Sequence, residues 1–226
     1  AKESDVLILS IPYENIDSTV DVYAPEGPEV STFLKSIDAY NNRDNNPTNW
    51  SINTHLGDNY LELMISEKPG NVMVVSGKNS KKIDYILAAV KAGLNVYADK
   101  PLVTNPDGLK KLEEVFRVAK ENNVLVYDIM TERFEVTTGI QKALSMVSSV
   151  FGELLDGTLE NPAISKESIH HLFKYVSGKP LVRPAWFLDT EQQGEGIIDV
   201  TTHLVDLVQW EAFPNQIIQK TDIDMV

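Results

Sequence analysis

Between Asn71 and Asp128 short apolar runs alternate with helix-period segments, and this alternation restricts the fold more than any other feature of the chain. Asn71-Val72-Met73-Val74-Val75 reads as a buried strand, short and rich in β-branched residues. Ile83, Ile86, Leu87 and Val90 then fall on one face of a helix that Gly93 ends as its C′ residue. Leu94-Asn95-Val96-Tyr97-Ala98 is the next strand. Pro106 suits the first turn of a further helix with Asn105 as N-cap, and Leu109, Leu112, Phe116 and Ala119 supply its apolar stripe. Val124-Leu125-Val126-Tyr127 is a third strand. Strands separated by helices of this length imply βαβ units, hence an α/β fold with a parallel, right-handed, doubly wound sheet.

The flanks read less regularly. Val6-Leu7-Ile8-Leu9 and Val20-Asp21-Val22-Tyr23-Ala24 look like strands, but only about ten residues separate them, too few for a helical crossover. A dinucleotide-binding fold places a Gly-rich loop and a helix there. The pair is either antiparallel or interrupted, and the expectation is that residues are missing between Ser10 and Ile11. Helices are expected over Ser31 to Tyr40 and Asp58 to Ile65, a weak strand over Ser51 to Thr54, and a solvated loop over 41–50. After Phe134 a helix is expected from Thr137 to Val150, a strand from Gly152 to Leu159, an aperiodic polar and aromatic stretch from Glu160 to Gln193, and a helix from about Ile198 to Glu211. This gives two domains, 1–134 a Rossmann-like dinucleotide-binding domain and 135–226 the start of a substrate and dimerisation α/β domain that is incomplete in this span.

Bulk properties exclude several partner classes. A net charge of −13 argues against nucleic acid and anionic membrane surfaces, both of which require a basic face. No apolar run approaches the roughly 20 residues of a membrane span. With no cysteine there are no disulfides, thiolate metal sites or thiol nucleophiles. The compartment stays open between the cytoplasm and a bacterial periplasm.

Two segments carry the chemistry. Ala98-Asp99-Lys100-Pro101 places a lysine where an apolar strand runs into a proline, at the carboxyl end where α/β sheets bind ligands. Gly194-Glu195-Gly196-Ile197-Ile198-Asp199-Val200-Thr201-Thr202-His203-Leu204-Val205-Asp206 is a Gly-rich turn and a helix with Asp199, His203 and Asp206 at i, i+4 and i+7, one helical face. His203 is the natural general base, Asp199 an orienting or substrate-binding carboxylate, Lys100 a cation able to share a proton with a hydroxyl, and Asp206 a structural partner. The plainer alternatives are a surface lysine at a strand end and an ordinary polar helix face. A zinc site of Asp199, His203 and Asp206 with His170 and His171 lacks the usual ligand pattern, so no metal is expected. His170, His171, Lys174, Arg183 and Trp186 offer the aromatic faces and polar tips that a sugar site needs; the alternative is a loop packed by its own aromatics.

The run Val74-Val75-Ser76-Gly77-Lys78-Asn79, the helix end Lys91-Ala92-Gly93 and Asp99-Lys100-Pro101, followed by Gly194, Gly196, Asp199, His203 and Asp206, resembles the Gfo/Idh/MocA oxidoreductases over roughly residues 70–211. The resemblance implies a Rossmann domain binding NAD or NADP, an α/β second domain with an open sheet through which members form homo-oligomers, and hydride transfer on a sugar or polyol. It puts Lys100, Asp199 and His203 on the catalytic positions and Ser76, Gly77, Asn79, Asp99 and Lys100 along the cofactor. Glu26, after the second strand, would accept hydrogen bonds from the adenosine ribose and favour NAD over NADP, unless Pro25-Glu26-Gly27 is only a turn. The chain departs from the family pattern in Asp99 for the usual Glu, Gly77-Lys78 for Thr-Pro, and Thr131-Glu132-Arg133-Phe134 for Asn-Arg-Arg-Phe, which introduces the negative charge of Glu132. Its glycine fingerprint is not visible. An NAD-dependent glycoside hydrolase or lyase working by transient oxidation, and a non-catalytic sugar-binding relative, are the rival readings.

Overall fold

The alternation between 71 and 128 folds as read: β3 (Val72–Val75), α3 (Lys82–Lys91), β4 (Asn95–Ala98), α4 (Asp107–Glu121) and β5 (Val126–Asp128) follow β1 (Thr19–Ala24), α1 (Pro28–Asn41), β2 (Ser51–Leu56) and α2 (Tyr60–Glu67). These elements come from a computed structural model that describes residues 17–168, 174–176 and 179–223. The strand expected at Val6 to Leu9 and the break expected at Ser10 lie outside the described residues.

Two units divide the chain. One holds the described residues up to Val75 together with Asp84–Tyr97 and Lys111–Tyr127. The other holds Ser76–Ile83, Ala98–Lys110 and the chain from Asp128 onward. The segments that leave the carboxyl ends of β3, β4 and β5 therefore all belong to the second unit.

In the first unit β1 pairs in parallel with β2 from Thr19 opposite Ser51 to Ala24 opposite Leu56, so the weak strand runs two residues beyond its expected end. His55 stacks on its register partner Tyr23 with ring centroids 4.2 Å apart, and its Nε2 lies 2.9 Å from Asp21 Oδ1. A second sheet has the order β3-β4-β5, joined by the helical crossovers that parallel neighbours require, and the fold is Rossmann-like. Asn105 Oδ1 accepts from Gly108 N at 3.0 Å, which starts α4 behind Pro106. Gly93, at φ 79°, ends α3: its N–H reaches Val90 O and that of Leu94 reaches Ala89 O, a Schellman closure.

The core gathers Met73, Val75, Ile86, Ala89, Val90, Val96, Val115 and Ala119, all buried. Two expectations are corrected here. β3 is buried only on alternate residues, with Val74 at 69% exposure, because successive side chains point to opposite faces and only one face is covered among the described residues. On α4, Leu109 and Phe116 are each 52% exposed; the helix packs through Val115, Val118, Ala119 and Gly108, whose missing Cβ would stand 2.9 Å from Val103 Cβ. Close approach through small residues outweighs burial of the larger ones.

In the second unit the expected helix from Thr137 divides into α5 (Val136–Ser145) and α6 (Ser148–Phe151). The strand expected over Gly152 to Leu159 does not form; these residues pair with no strand among those described. The aperiodic stretch contains a short hairpin, β6 (Tyr175–Val176) with β7 (Lys179–Pro180), a 3-10 turn (Ala185–Leu188) and α7 (Thr190–Gln193). The last helix opens with a π-turn (Ile197–Thr201) that runs into α8 (Thr202–Ala212).

Thermal or urea unfolding checks the corrected register of α4. Val115→Ala is expected to cost about 2 kcal/mol, whereas the larger truncation Phe116→Ala costs less than about 1 kcal/mol.

Candidate active site

β4 ends at the fully buried Ala98, and the next two residues turn into a cis Lys100–Pro101 peptide. Ninety-nine positions further on, the π-turn presents Asp199, whose residue exposure is only 8%. Lys100 Nζ donates to Asp199 Oδ1 at 2.7 Å and to the Asp199 backbone oxygen at 2.5 Å. Gln193 Nε2 donates to the same Oδ1 at 3.3 Å, and Asn79 Nδ2 donates to Gln193 O at 2.8 Å. The turn after β3, the turn after β4 and the Gly-rich turn are thus tied by side chains that are buried or nearly so. Gly194 makes the last of these possible: its φ is 89°, and a Cβ there would lie 3.3 Å from Thr104 Cγ2. Gly196 is right-handed helical at φ −57° with open space around it, so the close approach expected of both glycines belongs to Gly194.

A second lysine stands behind the first. Lys82, at the start of α3, is 1% exposed and donates from Nζ to Asp99 O at 2.7 Å. Burial drives its ammonium toward the neutral form, the Asp99 and Asp199 carboxylates resist, and the Lys100 charge adds to burial; the outcome is a pKa lowered to about 8.

His203 Nδ1 is shut off from solvent and lies 2.7 Å from Glu132 Oε2, outside regular hydrogen-bond geometry. Burial works to raise the Glu132 carboxyl, but the His203 contact, its own backbone N–H and Thr131 outweigh it and hold the group below the usual carboxylate range. Glu132 sits on a 3-10 turn (Thr131–Phe134) whose next residue, Arg133, donates from Nε and Nη2 to both carboxylate oxygens of Asp206. Asp199, His203 and Asp206 therefore take three different partners, Lys100, Glu132 and Arg133, and the carboxylate facing the imidazole is Glu132 rather than Asp199. Among the described residues no group of three His, Asp or Glu is arranged to hold a metal.

Ser76 and Gly77 are exposed in the turn after β3, and Gly77 requires its glycine by φ 122°. Asp99 is half-buried, and Glu26 is exposed between β1 and α1. In the aromatic stretch Trp186 lies under Lys78, whose Nζ is 5.5 Å from the ring, and its buried Nε1 has no partner among the described residues. Arg183 stacks on Phe187 at 4.3 Å, and the backbone oxygen of Lys174 accepts from Leu181 N at 2.8 Å. His170 and His171 lie outside the described residues. Sequence reasoning did not assign Gln193, Lys82 or the Glu132 pairing a place; only Glu132 carried a signal, as a charge where a neutral side chain is usual.

Residues 20–128 match the model "Oxidoreductase family, NAD-binding Rossmann fold", and 140–226 match "Putative oxidoreductase C terminal domain". The chain belongs to the Gfo/Idh/MocA oxidoreductase family. A protein from Parabacteroides merdae ATCC 43184, described as a candidate oxidoreductase, is 54% identical with a TM-score of 0.87 over 94% of this chain and 48% of its own. A Thermotoga maritima protein described in the same way is 18% identical with a TM-score of 0.59, over 91% of this chain and 54% of its own. Levoglucosan dehydrogenase, solved with NADH, is 14% identical with a TM-score of 0.55, over 86% of this chain and 44% of its own. The chain thus spans about half the length of these structures. No curated protein matches it. No helix among the described residues is long and apolar enough to cross a membrane.

The buried lysine gives this family member a measurable pH signature. Lys82 binds its proton more weakly folded, at about 8, than unfolded, at about 10.4, so stability should rise with pH between those values. In urea titrations Lys82→Met is expected to flatten that rise.

Proposed function

We propose that the chain carries the nucleotide-binding and proton-handling part of an oxidoreductase that moves hydride between NAD or NADP and a carbohydrate or polyol. The observation that carries this reading is the Lys100–Asp199 pair, a cation and a carboxylate held 2.7 Å apart by turns that the sequence separates by ninety-nine residues. Ammonium nitrogen has three N–H donors, and Asp199 takes two, which leaves one for a substrate oxygen. Levoglucosan dehydrogenase acts on a sugar derivative, which supports the substrate class.

The residues fit a nicotinamide dinucleotide. Gly77 offers bare backbone with nothing within 4 Å of where a Cβ would be, which suits close approach by a flat or phosphate group. Ser76, Gly77, Asn79, Asp99 and Lys100 would hold it, and Glu26 would accept from the adenosine ribose hydroxyls and favour NAD. When bound, the nicotinamide supplies the hydride acceptor or donor. The chain's own residues handle the proton. His203 accepts it from the substrate hydroxyl in the oxidative direction and returns it in the reverse. Lys100 donates its remaining N–H to the reacting oxygen and stabilises the negative charge that grows there. Asp199 fixes the direction of the Lys100 ammonium through two contacts.

Binding of NAD(H) and NADP(H) to the full-length gene product, followed by turnover with a panel of sugars and polyols, tests the reading. Lys100→Ala and His203→Ala are each expected to lower kcat by about 10²- to 10⁴-fold, with dinucleotide binding retained in His203→Ala. Failure to bind any of the four dinucleotide forms would overturn the proposal.

A further inference from the structure

The proposed acid/base has one ring nitrogen buried against a carboxylate, and this decides which nitrogen can work. His203 Nδ1 and Glu132 Oε2 are 2.7 Å apart. Two atoms that each present a bare lone pair repel at that separation, so one of the two groups carries a proton. Glu132 binds protons less readily than an ordinary carboxyl group, with His203 among the causes. The proton therefore belongs to the imidazole.

Several other charged groups on the elements around α8 have partners of their own. Arg133 chelates Asp206, Asp199 holds Lys100, and Lys142 of α5 stacks 3.8 Å from the Trp210 ring. Gln141 of α5 reaches Glu211 at 2.8 Å. The Arg133–Asp206 chelate binds the Glu132 turn to α8 one turn beyond His203, which sets the carboxylate against the ring.

We propose that Glu132 is a positioning residue that keeps the proton on His203 Nδ1 and so leaves Nε2 as the atom that exchanges a proton with substrate. The inference rests on His203 being the acid/base. A free imidazole prefers the opposite tautomer, with the proton on Nε2; without Glu132 the ring would present a donor where the oxidative direction needs an acceptor.

The test uses the full-length protein labelled with 15N-histidine, with His203→Gln to assign the signals. In the wild-type protein neutral His203 should show a protonated Nδ1, and in Glu132→Leu the proton should move to Nε2. Glu132→Gln keeps an acceptor without the charge, and should lower kcat more than it raises KM. Glu132→Asp should restore part of the lost kcat. A protonated Nε2 in the wild-type protein, or an unchanged tautomer in Glu132→Leu, overturns the inference. The tautomer is read without turnover, so a fully active His203→Ala would instead overturn the acid/base reading on which it rests.

Discussion

A lysine and an aspartate taken almost wholly out of water must satisfy each other, and the candidate site is arranged around that requirement. Lys100 and Asp199 have side-chain exposures of 17% and 12%. Desolvating both ions costs several kcal/mol, recovered only when geometry is good and the remaining donors and acceptors are met. Here the ammonium takes both the carboxylate and the backbone oxygen of one residue, and the carboxylate takes a further N–H from Gln193. Misplacing the turn after β4 or the π-turn would leave a charge buried alone. The pair is better understood as fixing the register of two distant segments than as a net source of stability.

Lys82 sharpens the point. It is more deeply buried than Lys100, and its Nζ donates to the neutral carbonyl of Asp99. Its lowered proton affinity follows from burial beside a like charge. The bond fixes the backbone one residue before Lys100, so the cost of a buried amine goes into holding the main chain that aims the working lysine.

The repeating βαβ pattern and the positions of Lys100, Asp199 and His203 were legible in the sequence, since each is a matter of local period or spacing, whereas Asn79 was singled out only by the family resemblance. What it did not reveal was pairing. Asp199 and His203 at i and i+4 suggested a carboxylate–imidazole contact within one helix, but the carboxylate against His203 is Glu132, from the turn after β5. No periodicity links these two residues; only packing of the Thr131–Phe134 turn on α8 does. On α4 the stripe of largest side chains pointed to Leu109 and Phe116, whereas the contact face is set by how closely Gly108 and Val115 allow neighbours to approach. The Gly152 to Leu159 strand failed for a related reason. An apolar run becomes a strand only when an edge is present to pair with, and none of the described strands offers one there.

α8 shows how these constraints combine. Leu207 is its only buried residue among those described, and Val205 is 58% exposed, so apolar burial cannot by itself choose the rotation of this helix. Three polar contacts do so instead, at Asp199 in the preceding π-turn, at His203 and at Asp206. Their partners Lys100, Glu132 and Arg133 all lie just past the ends of β4 and β5. Sliding the helix by one residue would turn its contact residues by about 100° and break the three contacts together. Acting together they select one register, and that register brings Lys100 to Asp199, Glu132 to His203 and Arg133 to Asp206 within the second unit.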